Sequence, residues 1–163
     1  MLGIAGGDVE RRLALVRGWT VKPDFVSLNL EEPGADALAR LLIDDLGVGV
    51  EAGVFCVSDA AALAASSFRD SLVRVLIEVD DVDPARAVEH CWEIESALDS
   101  LGVVAPRLHH GEGVATWAVL SAALMRGRDV RIGLEDTLVM ADGSPARGNA
   151  ELVAAVGALA PSA

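Results

Sequence analysis

Several residue types and features are scarce in this chain, and each scarcity excludes a class of protein. The 163 residues include two cysteines, Cys56 and Cys91. They are too few for a disulfide framework and lack the Cys-x-x-Cys spacing of a zinc or redox site, so we interpret both as structural thiols. No apolar run approaches the roughly 20 residues that span a bilayer, and the first residues lack the basic flank and long apolar region of a secretory signal. We therefore expect a soluble, cytoplasmic protein.

Positive charge is also scarce. The chain has 13 basic residues against 25 acidic ones, for a formal net charge of −12, and its single lysine is Lys22. This balance argues against non-specific binding of nucleic acid, which needs a basic surface that displaces counterions. It leaves open an anionic small ligand, because a few well-placed arginines can hold one despite a negative total charge.

The sequence is rich in a regular alternation of short apolar runs and helix-like segments. Runs that are β-branched and bounded by Gly, Pro or Asp start roughly 24 to 30 residues apart, which favours strands. Alternation at this interval predicts right-handed βαβ units and a parallel sheet. The predicted strands are residues 24–30, 48–55, 73–79, 103–109 and 130–134; the predicted helices are residues 35–46, 59–68 (with Ser58 as N-cap), 83–101, 114–125 and 149–159.

The length of the chain fits a single domain, residues 1–163. Residues 2–5 are a candidate sixth strand, with residues 11–19 as its helix. The repeat length suits a (β/α)₈ TIM barrel, which has about 250 residues in all, so about six βα units would form three quarters of one. Periodicity leaves two alternatives open: an open doubly wound sheet, or an incomplete barrel that lacks its first units.

Polar residues follow the predicted strands at their carboxyl ends, where α/β proteins bind their ligands. Glu51 lies inside an apolar run, where an unpaired carboxylate costs several kcal/mol to bury. We therefore expect a cation close to it, either Arg131 or a metal held by Glu135. Carboxylates that converge from separate strands can also abstract a proton beside a carbonyl group. The polar residues at these ends are Ser27, Asn29, Glu51, Glu78, Asp80, His109, His110, Glu112, Arg131, Glu135 and Asp136.

The most specific pattern is Arg131-Ile-Gly-Leu-Glu-Asp-Thr137. It resembles the C-terminal signature of the β-keto acid cleavage enzymes, the family typified by 3-keto-5-aminohexanoate cleavage protein. The resemblance implies a zinc-dependent (β/α)₈ barrel that reacts a β-keto acid with acetyl-CoA, giving acetoacetate and a new acyl-CoA. It also implies a homo-oligomer, namely a tetramer. Other blocks in the family's order extend the resemblance over nearly the whole chain: residues 23–29, 49–53, 108–113, 115–117 and 142–152.

The resemblance assigns roles by position. Glu135 matches the carboxylate ligand of Zn²⁺, and Asp136 matches the group that assists proton transfer. Arg131 matches the arginine that holds and orients this acidic pair and the substrate. Glu51 matches an active-site glutamate, and Ser27 matches a position filled by a hydroxyl residue. In the family, zinc polarises the keto acid and stabilises the enolate charge that develops.

The sequence departs from the family pattern in its histidines. The family's other two zinc ligands form a His-x-His motif on an early strand, and the three histidines here, His90, His109 and His110, form none. Because typical zinc sites have three protein ligands, we expect Glu135 alone to hold zinc poorly. Three hypotheses follow: an enzyme of this family truncated at its N-terminus, whose activity as a single chain is left open, a non-catalytic barrel fragment that pairs with another chain, or a metalloenzyme with a rearranged site of His109, His110, Glu112 and Glu135.

Overall fold

The structure, a computed structural model, describes residues 8–159 as an α/β chain. Its strands follow one another in chain order in a five-stranded sheet, and the pairs β1–β2 and β4–β5 are parallel. The predicted alternation with a parallel sheet is confirmed, whereas the candidate strand at residues 2–5 lies outside the described residues. The strands are β1 (Phe25–Asn29), β2 (Gly49–Val54), β3 (Arg74–Val79), β4 (Arg107–Gly111) and β5 (Asp129–Val130).

The helices lie where the apolar spacing predicts them, with one correction at a helix start. The third helix begins at Val57 and is capped by Cys56, not by Ser58. The reason is Asp59, whose carboxylate accepts hydrogen bonds from the amides of Phe55 and Cys56. None of the helices in residues 8–159 is long and apolar enough to cross a membrane. They are α1 (Val9–Arg17), α2 (Ala35–Arg40, continued by a π-helical segment Leu41–Leu46), α3 (Val57–Ala65), α4 (Pro84–Ser100), α5 (Thr116–Met125, after a 3₁₀ turn Gly113–Ala115) and α6 (Asn149–Leu159).

β4 and β5 differ from their predicted bounds by several residues, whereas the other three strands differ by at most one residue at each end. β4 begins four residues later than expected, at Arg107 instead of residue 103. Pro106 has no amide hydrogen to donate, although its carbonyl accepts a hydrogen bond from the Val75 amide. β5 was expected to reach residue 134, but it ends at Val130 because the chain then folds into a turn closed by the Asp136 amide on the Gly133 carbonyl, at 3.0 Å. The acidic pair therefore lies in a turn that directly follows a very short strand.

The chain divides into two compact units, Met1–Val75 with Ala97–Pro106, and Leu76–Ser96 with Arg107–Ala163. The prediction of a single domain stays a prediction. Each unit has its own apolar core. In the first unit the core includes Leu28, Leu38, Leu42, Val50, Val54, Leu63 and Phe68; in the second it includes Ile77, Val79, Ile94, Val119, Leu120 and Leu152.

Two strands are buried on both of their faces, as is usual for parallel strands. In the first unit this strand is β2, where Glu51 is buried between Val50 and Ala52. In the second unit it is β4, where the adjacent residues His109 and His110 are both fully buried. Successive side chains of a strand point to opposite faces, so the two histidines enter different surroundings.

Candidate active site

The turn after β5 brings three predicted site residues together. Nη2 of Arg131 lies 3.0 Å from Oδ1 of Asp136 and also pairs with Oε2 of Glu135. The two carboxylates differ in exposure, because the Asp136 side chain is fully buried whereas 73% of the Glu135 side chain is accessible. Arg131 therefore joins a buried acid to an exposed one, and the catalytic and metal-binding roles of these residues stay predictions.

The turn that contains Gly133 is held by hydrogen bonds within its own backbone and to α6. The amides of Asp136 and Thr137 both donate to the Gly133 carbonyl, and the Leu134 amide donates to Oδ1 of Asn149 at 2.8 Å. A Cβ atom added at Gly133 would lie 3.4 Å from that same Asn149 oxygen. The turn thus packs closely against the first residue of α6, which fixes where the acidic pair lies.

The backbone of Asp136 is held by the segment after β4. The Gly113 amide donates to the Asp136 carbonyl at 2.8 Å. The Thr116 hydroxyl lies 2.8 Å from the Gly111 carbonyl and 3.3 Å from the Asp136 carbonyl. Within residues 8–159, the second carboxylate oxygen of Asp136, Oδ2, is buried and has no hydrogen-bond partner. One carboxylate oxygen is therefore engaged, and the other remains able to accept a proton.

His110 and Glu78 complete the surroundings of Asp136. From the sequence, His110 was expected only as a ligand of a rearranged metal site, and Glu78 had no specific role. Nδ1 of His110 lies 3.3 Å from Oδ1 of Asp136, and Nε2 lies 2.9 Å from Oε2 of Glu78. These contacts are at ion-pair distance and are not linear hydrogen bonds. Burial would lower the pKa of His110, but the contacts with Asp136 and Glu78 outweigh burial and raise this pKa to about 9.

The pKa of Asp136 is correspondingly held below its usual range. Burial on its own would raise the pKa of this carboxyl group, and the charges of His110 and Arg131 overcome that effect. Asp136 is thus ionised at neutral pH although its side chain is buried. The two cations reach the same oxygen, Oδ1, from two different strand ends.

His109 lies on the other face of β4 in different company. Its ring centroid is 5.4 Å from that of Trp92, and Nε2 is 3.4 Å from Oε2 of Glu95. Glu95 is paired with Arg128, and Arg126 stacks over the Trp92 ring at 3.7 Å. Burial, assisted by the positive charges of nearby arginines, lowers the pKa of His109 to about 4. His109 is therefore neutral at neutral pH.

The hypothesis of a rearranged metal site is wrong. It required His109, His110, Glu112 and Glu135 to converge, but the two histidines contact different partners on opposite faces of β4. Glu112 is exposed, and Glu135 pairs with Arg131. The period of two residues along a strand could have excluded this arrangement from the sequence, because adjacent strand residues cannot both bind one metal.

The first unit holds the other two predicted site residues, Ser27 and Glu51. They are register partners on β1 and β2, and the Ser27 hydroxyl donates to Oε1 of Glu51. The expected cation beside Glu51 is present, but it is Arg74 and not Arg131. Arg74 also lies over the Phe25 ring, at 5.0 Å from its centroid. Arg74 was not predicted as this cation because it is the first residue of the next strand and lies within an apolar run.

The residues present do not fit a zinc site by themselves. Among residues 8–159, no three His, Cys, Asp or Glu side chains are grouped so that they could hold a metal ion. The carboxylate predicted to bind zinc, Glu135, is paired with Arg131, and the His-x-His motif is missing from the sequence. A zinc ion would need further ligands beyond those that this part of the chain groups together.

A cavity of about 450 Å³ lies beside the turn, which is within the usual size of small-ligand sites. Apolar side chains form much of its wall, and the acidic pair contributes the polar groups. Its lining is Gly113, Val114, Leu134, Glu135, Asp136, Thr137, Leu138 and Val139. A ligand in this cavity would therefore meet an apolar wall and the exposed carboxylate of Glu135, whereas the side chain of Asp136 is buried.

Comparison with known proteins adds one finding. Residues 107–163, about a third of the chain, match the family model of the beta-keto acid cleavage enzyme. The segment contains His110, Arg131, Glu135 and Asp136, and the match confirms the family resemblance over these residues. The resemblance of residues 23–29 and 49–53 stays a prediction. No curated protein matches the chain at a significant level.

Proposed function

Residues 107–163 match the beta-keto acid cleavage enzymes, and we propose that this protein catalyses the same type of reaction. The proposed reaction joins a β-keto acid and acetyl-CoA and yields acetoacetate and a new acyl-CoA. The acyl group of the keto acid moves to coenzyme A, and the acetyl group takes its place. The single observation that carries the proposal is Asp136, a buried and ionised carboxylate within the matched segment that has one unpartnered oxygen.

The proposed role of Asp136 is to accept a proton from the carbon between the two carbonyl groups. Arg131 and His110 hold Oδ1, which leaves Oδ2 as the accepting atom. A carboxylate with a lowered pKa is a weak base, so this abstraction also requires an electrophile that polarises the keto oxygen. Arg131 is part of the machinery in a second way, because its partly accessible guanidinium is a suitable group for the carboxylate of the substrate.

The family resemblance names zinc as that electrophile, with Glu135 as a ligand. Among the described residues no three side chains lie together as metal ligands. The roles proposed above therefore belong to the side chains of this chain alone. The TIM-barrel fold and the tetramer are likewise proposals that rest on the resemblance. The barrel is also supported by the sheet, in which five strands follow one another in chain order. The roles of Ser27 and Glu51 are also proposals that rest on the resemblance.

A second candidate function is a non-catalytic barrel fragment that pairs with another chain. The observation that favours it is the lack of three grouped metal ligands among residues 8–159. In this case the second chain would supply the histidine ligands, and the present chain would be inactive alone. The two candidates differ in what the purified chain can do.

The test is an assay of the purified full chain with a zinc salt, acetyl-CoA and a panel of β-keto acids that differ in their side chains. Separation of the coenzyme A thioesters is expected to show a new acyl-CoA in equal amount to acetoacetate. Asp136→Asn should lower the rate at least 100-fold, because the amide cannot accept the proton.

Asp142→Asn is the matched control, because Asp142 is an exposed loop residue that accepts hydrogen bonds only from Ser144 among the described side-chain contacts. It should leave the rate unchanged. Product formation that survives in Asp136→Asn contradicts the assigned role. A wild-type chain that forms no product with any keto acid contradicts catalysis by this chain and favours the second candidate.

A further inference from the structure

His110 stands between two carboxylates in the interior of the second unit. Its side chain is 1% exposed, with Glu78 of β3 against one ring nitrogen and Asp136 against the other. The backbone ties these elements together near the same place, because the Glu112 amide donates to the Val79 carbonyl and the Gly113 amide donates to the Asp136 carbonyl. The ring is therefore fixed between two anions by the strands that carry it.

The charge state of His110 follows from this placement. A neutral imidazole has a proton on one nitrogen and a lone pair on the other. A lone pair facing a carboxylate at about 3 Å is repulsive, whichever nitrogen carries it. Only the doubly protonated ring is positive at both nitrogens and attracts both Glu78 and Asp136. Burial of two carboxylates also needs a cation between them.

Asp136 consequently has a defined inner and outer oxygen. Arg131 and His110 both reach Oδ1, at 3.0 and 3.3 Å, whereas Oδ2 has no hydrogen-bond partner in the described part of the chain. Two cations on one oxygen restrict rotation of the carboxyl group about its Cβ–Cγ bond. If the carboxyl group rotated, Oδ1 would move away from Arg131 or His110, and Oδ2 would approach that cation instead.

We propose that His110 is a positioning residue for Asp136: as a charged ring held by Glu78, it fixes Oδ1 and leaves Oδ2 as the oxygen that can accept a proton. The consequence for catalysis rests on the proposed function, but the His110 bridge itself does not. Glu78 acts one step further away, by keeping His110 charged and oriented. A neutral residue at position 110 would leave Asp136 and Glu78 without their shared cation.

The first experiment reads the bridge without any activity. Nitrogen-15 NMR of the full chain at pH 7, with His110 assigned through His110→Gln, is expected to show protons on both of its ring nitrogens. His109 should show one protonated nitrogen in the same spectrum, which makes it an internal reference. A single protonated nitrogen on His110 at pH 7 would overturn the proposal.

The same sample tests positioning. The carboxyl carbon signal of Asp136, assigned with Asp136→Asn, should shift in His110→Gln and in Glu78→Gln. Glu78→Asp keeps the charge and should move it less. The matched control is Glu93→Gln, an exposed α4 residue that pairs with Arg86, and it should leave the signal in place. An Asp136 signal that is the same in wild type, His110→Gln and Glu78→Gln would overturn the proposal.

The second experiment uses the acyl-exchange assay. His110→Gln and Glu78→Gln should lower kcat at least tenfold with little change in KM for the keto acid, and Glu78→Asp should recover part of kcat. A raised KM with unchanged kcat would show that His110 serves binding and would overturn positioning. If the wild-type chain is inactive, the proposed function fails, whereas the NMR result still decides whether His110 bridges Glu78 and Asp136.

Discussion

The two faces of β4 place neighbouring histidines in opposite electrostatic surroundings. His110 faces two carboxylates, and its pKa rises to about 9, whereas burial and three arginines lower the pKa of His109 to about 4. Both side chains are fully buried, so burial alone does not decide the charge of a histidine. At His110 the neighbouring carboxylates overcome burial, whereas at His109 burial is the largest cause and the nearby arginines act in the same direction.

The largest expected effect is a difference in the free energy of unfolding between substitutions on the two faces of β4. His110→Gln should lower the free energy of unfolding by about 3 to 5 kcal/mol at pH 7, because it leaves the carboxylates of Glu78 and Asp136 without a cation between them. His109→Gln removes a neutral ring and should cost about 1 to 2 kcal/mol. Urea unfolding of both variants beside the wild type measures the difference. Equal losses in the two variants would contradict the charge assignment.

The next effect is a dependence of stability on pH between pH 6.5 and 9, which comes from His110 on one face of β4. Since the pKa of His110 is raised from 6.5 to about 9, the folded state binds the extra proton. Its contribution is complete below pH 6.5 and is lost as the pH rises towards 9, by about 3 kcal/mol at 1.36 kcal/mol per pKa unit. Urea midpoints from pH 6 to 9 should show this decline in the wild type and not in His110→Gln; above pH 9 the raised pKa of the Cys91 thiol adds a decline to both proteins.

His109 provides the opposite control for that series. Its pKa is lowered to about 4, so the unfolded chain binds the proton first, and stability falls as the pH drops from 6.5 to 4. His109→Gln should therefore flatten the acidic side of the profile and leave the alkaline decline unchanged. An alkaline decline that disappears in His109→Gln would mean that the two assignments are exchanged.

The smallest effect lies at the outer edge of the His109 face. Arg126 stacks on Trp92 at 3.7 Å, and such an exposed contact is worth about 0.5 to 1 kcal/mol. A double-mutant cycle of Arg126→Gln and Trp92→Leu, followed by urea unfolding, should give a coupling energy of that size. Arg86→Gln, an exposed α4 substitution away from the ring, is the control that should show no coupling with Trp92→Leu.

Much of the fold could be predicted because its signals are local. The apolar spacing of residues 149–159 and the Asp83-Pro84 start of α4 reflect helix periodicity and capping, which act within a few residues. The ends of β4 and β5 could not be predicted in the same way. β4 begins directly after Pro106, which has no amide hydrogen to donate. β5 is followed by a turn whose hydrogen bonds join residues far apart in sequence, such as Leu134 and Asn149.

The candidate site shows the same division. The motif from Arg131 to Thr137 predicted a cluster of charges, and Glu51 predicted a nearby cation, since both statements follow from the residue types themselves. The partners of Glu51 and Asp136 depend on strand register and on which face each residue occupies. Arg74 and His110 were therefore missed as partners, although the two-residue period of β4 was sufficient to separate His109 from His110.

The hydrogen bond from the Gly113 amide to the Asp136 carbonyl has a consequence for local opening of the turn. An amide proton in such a bond exchanges with solvent only when the bond breaks. The Gly113 amide thus reports how often the segment that carries the acidic pair separates from the segment after β4. Its exchange rate, compared with that of an unprotected amide, would measure the free energy of this local opening.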